Sequence, residues 1–292
     1  MKHHSQFYAS KVEEPHFFDK DSNYQDIKNY FNLFDNYSGQ KILFEKTPNY
    51  LSDVLVPERI FETYKNYSTE SLENLKFLVV VCDPVKRAFS DFVHSRQAAS
   101  KLGHSKKLLQ SYINFDDYLE AGLENLISAV GTNTIDFDAI NSSKEHLNLL
   151  KNQTEMSQWA PITKSLYHEM ISNWIKIFPD INNKFIFLDG NEILKNPGPI
   201  FENLQRKLGL RIELHASDFV RSLENKKLFC LKRREFRNDK GLTDRNPICL
   251  AKHKGRTQNG ESFLESTRRR LADFYRIPNE KFFDLIGQNF EW

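Results

Sequence analysis

The chain has 292 residues, a formal net charge of +2, 39% hydrophobic residues and 13% aromatic residues, with 24 Phe among them. That supports a sizeable core and excludes global disorder, while so small a net charge names no polyanionic partner by itself. No apolar run reaches the ~18 residues that span a bilayer, and no signal peptide opens the chain.

Residues 1–40 are polar and aromatic, and Glu13-Glu14-Pro15-His16-Phe17-Phe18-Asp19 crowds acids, a His and two Phe together. Asn23 to Phe34 has helical spacing, with Ile27, Tyr30, Phe31 and Phe34 on one face. Lys41 to Phe44 is a short strand running into Glu45-Lys46-Thr47-Pro48, and Val56 to Asn66 is a helix opened by Pro57. Phe77 to Val81 (FLVVV) is a strand buried on both faces. Asp83-Pro84 stops it, since proline cannot continue a central strand. The following helix aligns Val85, Phe89 and Phe92. Such a strand–turn–helix presents free backbone N–H groups where a phosphate can sit, and Ser90 lies about two turns into the helix.

Residues 95–156 read as a surface excursion, helical over Phe115 to Ile127. Ser165 to Phe178 is a strongly amphipathic helix, with Leu166, Met170, Trp174 and Ile177 in register. Phe185 to Leu188 is a further strand. Asn191 to Gly209 is helical, interrupted at Pro197 and Pro199, with Arg206 and Lys207 in its last turn. Alternating strands and helices argue for a parallel sheet covered by helices on both faces, and no linker divides residues 1–292 into separate domains.

Between Lys226 and Arg256 stand eleven Lys/Arg against three acids, a local excess of eight positive charges. Charged runs are usually solvated faces. This one holds Lys254-Gly255-Arg256-Thr257, in which a glycine permits close backbone approach and two cations supply charge-assisted donors to a phosphate. Of the cysteines, Cys82 ends the Phe77 strand, while Cys230 and Cys249 flank a turn-rich stretch. The spacing leaves their pairing open and offers no zinc pattern. N-x-S/T triplets at Asn36, Asn66, Asn141 and Asn152 favour a secretory lumen only weakly.

Several motifs then occur in order. They are Glu14-Pro15-His16-Phe17-Phe18-Asp19, Glu45-Lys46-Thr47-Pro48, and Asp83-Pro84 with Arg87 and Ser90-Asp91. Tyr167 and Trp174 before Phe178-Pro179 come next, then Cys230-Leu231-Lys232. Cys249-Leu250 with Lys252 and Lys254-Gly255-Arg256-Thr257 follows, and last Phe282-Phe283 with Gly287-Gln288, Phe290 and Trp292. The series resembles the heparan sulfate glucosamine 3-O-sulfotransferases from about residue 12 to the end, least across 95–156.

The resemblance implies an α/β fold, a P-loop-NTPase-like three-layer sandwich with a central parallel sheet, here lacking its first strand. It implies transfer of a sulfuryl group from 3'-phosphoadenylyl sulfate to the 3-hydroxyl of a glucosamine in heparan sulfate. Glu14 matches the general base, His16 and Asp19 its orienting neighbours, and Lys46 a cation at the reaction centre. Packing against Phe17 and Phe18 is expected to desolvate Glu14 and tune it as a base. Ser90 matches a ligand of the donor's 3'-phosphate. Lys252, Lys254, Gly255, Arg256 and Thr257 match the segment that closes over the nucleotide, and Cys230 with Cys249 matches the family disulfide that would hold it. Asp19, Lys46, His94 and Arg96 are expected to meet the sugar. The implied partner is heparan sulfate, with no nucleic acid, no metal and no membrane contact from this chain, in which no anchor is seen. The implied compartment is the Golgi lumen.

Two departures stand beside these matches. The family's first strand and Lys-Gly-Gly-Thr-type loop, which hold the 5'-phosphosulfate, have no counterpart here, and loss of that strand is expected to expose sheet edges. Cys82 stands where the family has an arginine, and a neutral thiol cannot grip a phosphate in a bidentate way. These departures open two readings: an enzyme whose N-terminal segment lies outside this sequence, or a short form that binds heparan sulfate through the basic 226–256 face without transfer. No G-x-x-x-x-G-K-[ST] occurs, which disfavours a nucleotide kinase.

Overall fold

The computed structural model describes residues 4–21, 27–34, 42–102, 111–130, 159–223, 228–232, 247–249 and 262–292. In chain order the elements are β1 (Phe7–Ala9), α1 (Ile27–Phe31), β2 (Ile42–Phe44), α2 (Val56–Tyr67), α3 (Thr69–Asn74), β3 (Phe77–Val81), α4 (Pro84–Leu102), α5 (Phe115–Val130) and α6 (Ala160–Thr163). They continue with α7 (Tyr167–Ile177), α8 (Ile181–Lys184), β4 (Phe185–Asp189), α9 (Gly190–Lys195), α10 (Pro197–Lys207), β5 (Phe219–Arg221), β6 (Phe229–Leu231) and α11 (Glu265–Ile286). They group into two compact units. The first comprises Met1–Pro15, Lys28–Lys46 and Phe187–Gly255, and the second His16–Ile27, Thr47–Ile186 and Arg256–Trp292.

In the first unit β1 and β2 pair in parallel, with Phe7 opposite Ile42, Tyr8 opposite Leu43 and Ala9 opposite Phe44. The ladder continues at both ends, Ile42 N–H donating to the Gln6 carbonyl (2.8 Å) and Ser10 N–H to that of Phe44 (3.0 Å). Edge-on packing of Phe7 against Phe44, with ring centroids 5.3 Å apart, closes one side. Parallel strands need a crossover, and the segment carrying α1 supplies it, burying Tyr30 and Phe34. β1 was not expected from the sequence, because three residues are too few to show a two-residue period.

The helical region after β4 breaks before Pro197, which opens α10 rather than interrupting it, as does Pro199 in the same first turn. Gly209 then ends the region at φ +65°, a left-handed conformation that glycine adopts without a Cβ clash. β5 and β6 form an antiparallel pair, and Leu231 bridges onward to Ile248. The disulfide between Cys230 and Cys249, with Cα atoms 4.3 Å apart, ties the 247–249 segment to β6.

The core of the second unit gathers Val85, Ala88 and Phe92 of α4, Phe115, Tyr118, Leu119 and Leu123 of α5, Ile162 of α6, and Leu271 and Tyr275 of α11. This corrects the reading of 95–156 as a surface excursion where α5 is concerned. Its Phe115, Tyr118, Leu119, Leu123 and Leu126 recur at helical spacing and are almost fully buried. Gly122 belongs to the same contact, since a Cβ there would lie 2.7 Å from Ile162 Cδ1 and 2.8 Å from Trp159 Cε3.

β3 pairs with β4, and Phe77 packs on Trp174 (4.9 Å), Phe178 (4.8 Å) and Phe185 (5.1 Å) between ring centroids. The expectation that β3 is buried on both faces fails. Val79 and Val81 are buried, but Leu78 is 47% and Val80 53% exposed. Successive side chains of a strand point to opposite faces, so the face carrying Val79 and Val81 is packed while the face carrying Leu78 and Val80 is left uncovered among the described residues.

One buried amide side chain is matched at both of its polar atoms. In the first unit Gln205 is fully buried. It donates to the carbonyls of Phe201 (3.0 Å) and Leu214 (2.8 Å) and accepts from the N–H groups of Glu213 (2.8 Å) and Leu214 (2.9 Å). Replacing it by an apolar side chain of similar length orphans the turn after α10. Gln205→Met is expected to lower stability by about 3 kcal/mol, read from urea unfolding of the whole chain.

Candidate active site

Because β1 and β2 are parallel, the chain leaves both at the same end of their sheet. Open α/β sheets hold ligands beyond the carboxyl ends of their strands. Here those ends deliver Glu14 and Lys46. Lys46 Nζ donates to Glu14 Oε1 at 2.5 Å, joining residues 32 positions apart. The side chains remain 42% (Glu14) and 55% (Lys46) exposed. The expected desolvation of Glu14 is therefore not what surrounds this carboxylate. Its close neighbour is an ammonium, and Phe17 and Phe18 are themselves buried in the interior.

Across Pro15 the chain enters the second unit at His16, which holds φ +51°, a strained value for a residue with a Cβ. The surroundings impose it. His16 N–H donates to Thr47 Oγ1 (3.4 Å), and the next two N–H groups, of Phe17 and Phe18, donate to Tyr50 Oη at 2.9 and 3.2 Å. His16 Nδ1 lies 2.7 Å from Asp19 Oδ2, and Asp19 is only 4% exposed at its side chain. Asn49 Nδ2 donates to the same oxygen (3.3 Å), and Lys164 Nζ donates to Asn49 Oδ1 (3.1 Å). Thr47 belongs to the Glu45-Lys46-Thr47-Pro48 motif without an assigned role, and Asn49, Tyr50 and Lys164 are not singled out by the sequence. Thr47, Asn49 and Tyr50 directly follow Glu45-Lys46, which is a usable signal. Lys164 lies 115 positions from Asn49, and no local pattern announces it.

The turn from β3 into α4 corrects another expectation. Its N–H groups are not free for phosphate: Asp83 Oδ1 accepts from Val85 (2.9 Å) and Lys86 (3.2 Å), so a carboxylate already caps the helix. Lys86 Nζ pairs with that carboxylate at 3.1 Å. Cys82 is half-buried, and its backbone N–H and C=O both meet Tyr167 Oη, at 3.3 and 2.9 Å. Arg87 does not replace the arginine absent at position 82. It donates to Ser165 Oγ (2.5 Å), Asp91 Oδ2 (3.0 Å) and the Pro161 carbonyl.

Burial opposes the Arg87 charge, yet the Asp91 carboxylate keeps its pKa above the ordinary arginine value. Burial likewise raises Asp91, and Arg87 outweighs it, holding Asp91 below the usual carboxylate range. Ser90 is half-buried on α4 and His94 is exposed on the same helix. Arg96 donates to the Ile113 carbonyl (2.9 Å) and lies 5.4 Å from the Phe92 ring centroid, so it also serves packing. Lys252, Lys254, Gly255, Arg256 and Thr257, with most of the basic 226–256 stretch, lie outside the described residues.

The family described as a sulfotransferase domain matches residues 1–267. The chain belongs to the sulfotransferase domain family. Among similar proteins, the Mus musculus heparan sulfate glucosamine 3-O-sulfotransferase 3B1 is 26% identical over 279 residues, covering 96% of this chain and 57% of that protein. The Mus musculus heparan sulfate glucosamine 3-O-sulfotransferase 6 is 26% identical over 279 residues, covering 96% of this chain and 64% of its own length. The chain thus spans 57% and 64% of these two relatives. A sulfotransferase from Alicyclobacillus acidocaldarius has a similar structure, with a TM-score of 0.58 at 14% identity, covering 99% of this chain and 89% of that one. The fold of this sulfotransferase-family chain is accordingly the P-loop-like α/β fold.

The Arg87–Asp91 pair has a pH signature. A carboxylate held below its unfolded value of about 3.9 stabilises the fold above that pH, and the contribution disappears as pH falls through the lowered folded value. Asp91→Asn is expected to lower stability at neutral pH and to flatten the acid limb of the stability–pH curve, measured by urea unfolding between about pH 7 and pH 2.5.

Proposed function

We propose that this sulfotransferase-family protein transfers a sulfuryl group from 3'-phosphoadenylyl sulfate to the 3-hydroxyl of a glucosamine in heparan sulfate, with Glu14 as general base. The observation that carries the reading is the 2.5 Å contact between Glu14 and Lys46 beyond the carboxyl ends of two parallel strands. A sugar hydroxyl is a poor nucleophile until a positioned base accepts its proton. Glu14 takes that proton as the hydroxyl oxygen bonds to sulfur and the bond from sulfur to the 5'-phosphate oxygen breaks. Lys46 offsets the negative charge that grows on the transferring group and the leaving phosphate. His16, held by Asp19, orients the acceptor. The names of the relatives at about 26% identity support heparan sulfate as the acceptor polysaccharide.

Donor binding is assigned to Ser90 together with Lys252, Lys254, Gly255, Arg256 and Thr257. The capped start of α4 and the thiol at position 82 do not fit a phosphate, so this assignment rests on the basic segment and the Ser90 hydroxyl. His94 and Arg96 are assigned to the sugar. The Golgi lumen is the compartment this reading calls for, and the Cys230–Cys249 disulfide suits an oxidising one.

The test is transfer of labelled sulfate from the donor to a heparan sulfate oligosaccharide. Glu14→Gln is expected to lower kcat by roughly 10²–10⁴-fold with donor affinity retained, because a glutamine cannot accept the proton. Lys46→Met is expected to lower kcat by roughly 10²-fold. Full activity in Glu14→Gln would remove Glu14 as the base. Absence of transfer in a folded wild-type chain that still binds the oligosaccharide would favour the polysaccharide-binding reading.

A further inference from the structure

We propose that Asn49 and Lys164 are positioning residues that act through Asp19 to hold His16 in one tautomer, with Nδ1 protonated and Nε2 as the acceptor nitrogen. The inference rests on the proposed role of His16 in orienting the sugar and goes beyond it by naming what orients His16. The relay lies wholly within the second unit. It runs from Lys164 Nζ to Asn49 Oδ1 (3.1 Å), from Asn49 Nδ2 to Asp19 Oδ2 (3.3 Å), and from Asp19 Oδ2 to His16 Nδ1 (2.7 Å).

The direction of each step follows from the donors and acceptors present. An ammonium can only donate, so the Asn49 oxygen must face Lys164 and the amide nitrogen must face Asp19. An ionised carboxylate can only accept, so Nδ1 of His16 must carry the proton. A neutral imidazole with Nδ1 protonated offers Nε2 as an acceptor, the role a hydrogen bond from a sugar hydroxyl needs.

Three further observations point to a built device rather than chance proximity. The side chain of Asp19 is 4% exposed, and its Oδ1 is buried with no hydrogen-bond partner among the described residues. A carboxylate so shielded needs a nearby positive charge, and Lys164 brings one through Asn49. His16 is the one described non-glycine residue with positive φ, so its ring is aimed from a strained backbone. The remaining charges nearby are largely matched. Arg59 pairs with Asp21 and donates to the Phe18 carbonyl at 3.0 Å. Asp53 accepts from Leu55 N–H at 2.9 Å, and burial raises its pKa. Lys164 also acts on Asp91, whose own partner is Arg87.

The experiment is ¹⁵N and ¹³C NMR of the histidine-labelled whole chain, with the His16 ring assigned by its disappearance in His16→Gln. Wild type is expected to show the Nδ1-protonated tautomer. Asn49→Leu and Lys164→Met are each expected to convert it to a mixture, and Lys164→Arg to restore it. In the transfer assay the same two variants are expected to lose on the order of 10- to 100-fold in kcat with the donor KM unchanged.

An unchanged ring signature in both variants, with thermal melting like wild type, overturns the relay, as does a wild-type ring protonated at Nε2 alone. If one variant fails to fold, the other decides. A wild-type chain that transfers no sulfate but shows the expected ring signatures overturns only the proposed function and leaves the relay standing.

Discussion

Parallel pairing of β1 and β2 is the constraint on which the candidate site depends. Two parallel strands cannot be joined by a tight turn, so the chain must travel back before it can start the second strand. It does so through α1, burying Tyr30 and Phe34 on the way. The reward is that both strands release the chain in the same direction. Glu14 and Lys46, 32 positions apart, meet there as an exposed ion pair. An antiparallel pair would have placed these two exits at opposite ends of the sheet.

Charged groups in the second unit divide by burial into two kinds of work. Arg87 and Asp91 are largely shielded, and the guanidinium is matched to a carboxylate, a hydroxyl and a carbonyl. That geometry rewards ionisation of both partners and fastens α4 to the segment that carries α6 and the start of α7. His16 and Lys164 are linked by long-range side-chain contacts around a buried carboxylate, with the histidine ring still partly open to solvent. The first arrangement secures the scaffold. The second leaves the His16 ring partly exposed.

Long elements were the most legible from the sequence. The α7 pattern is strong enough that local preference and tertiary packing agree, and Met170 and Trp174 are buried as their spacing requires, whereas β3 forms where its apolar run stands but leaves Leu78 and Val80 exposed. Short or context-dependent features were not legible. β1 is three residues long and owes its existence to β2. α5 has an apolar stripe, but whether that stripe meets a core depends on α4 and α11, which are remote in sequence. The start of α4 looked like an anion site because strand–turn–helix sequences often are. One buried aspartate, Asp83, reverses that by filling the position with its own charge. The Cys230–Cys249 pairing followed from the resemblance rather than from spacing, and the structure contains it.

The sequence by itself determined the family, the alternation of strands and helices, and the chemical identities gathered in Glu14-Pro15-His16-Phe17-Phe18-Asp19 and Glu45-Lys46-Thr47-Pro48. These are properties of short windows and of their order, and a linear chain displays them directly. Only the tertiary structure decided which of those residues touch. It set Glu14 against Lys46 in one unit, and His16, Asp19, Asn49 and Lys164 in a chain of hydrogen bonds in the other. It also turned Arg87 inward, away from any phosphate-binding role. The physical reason is that a hydrogen bond depends on distances of about 3 Å and on direction, and residues 115 positions apart acquire those only when the core between them has packed.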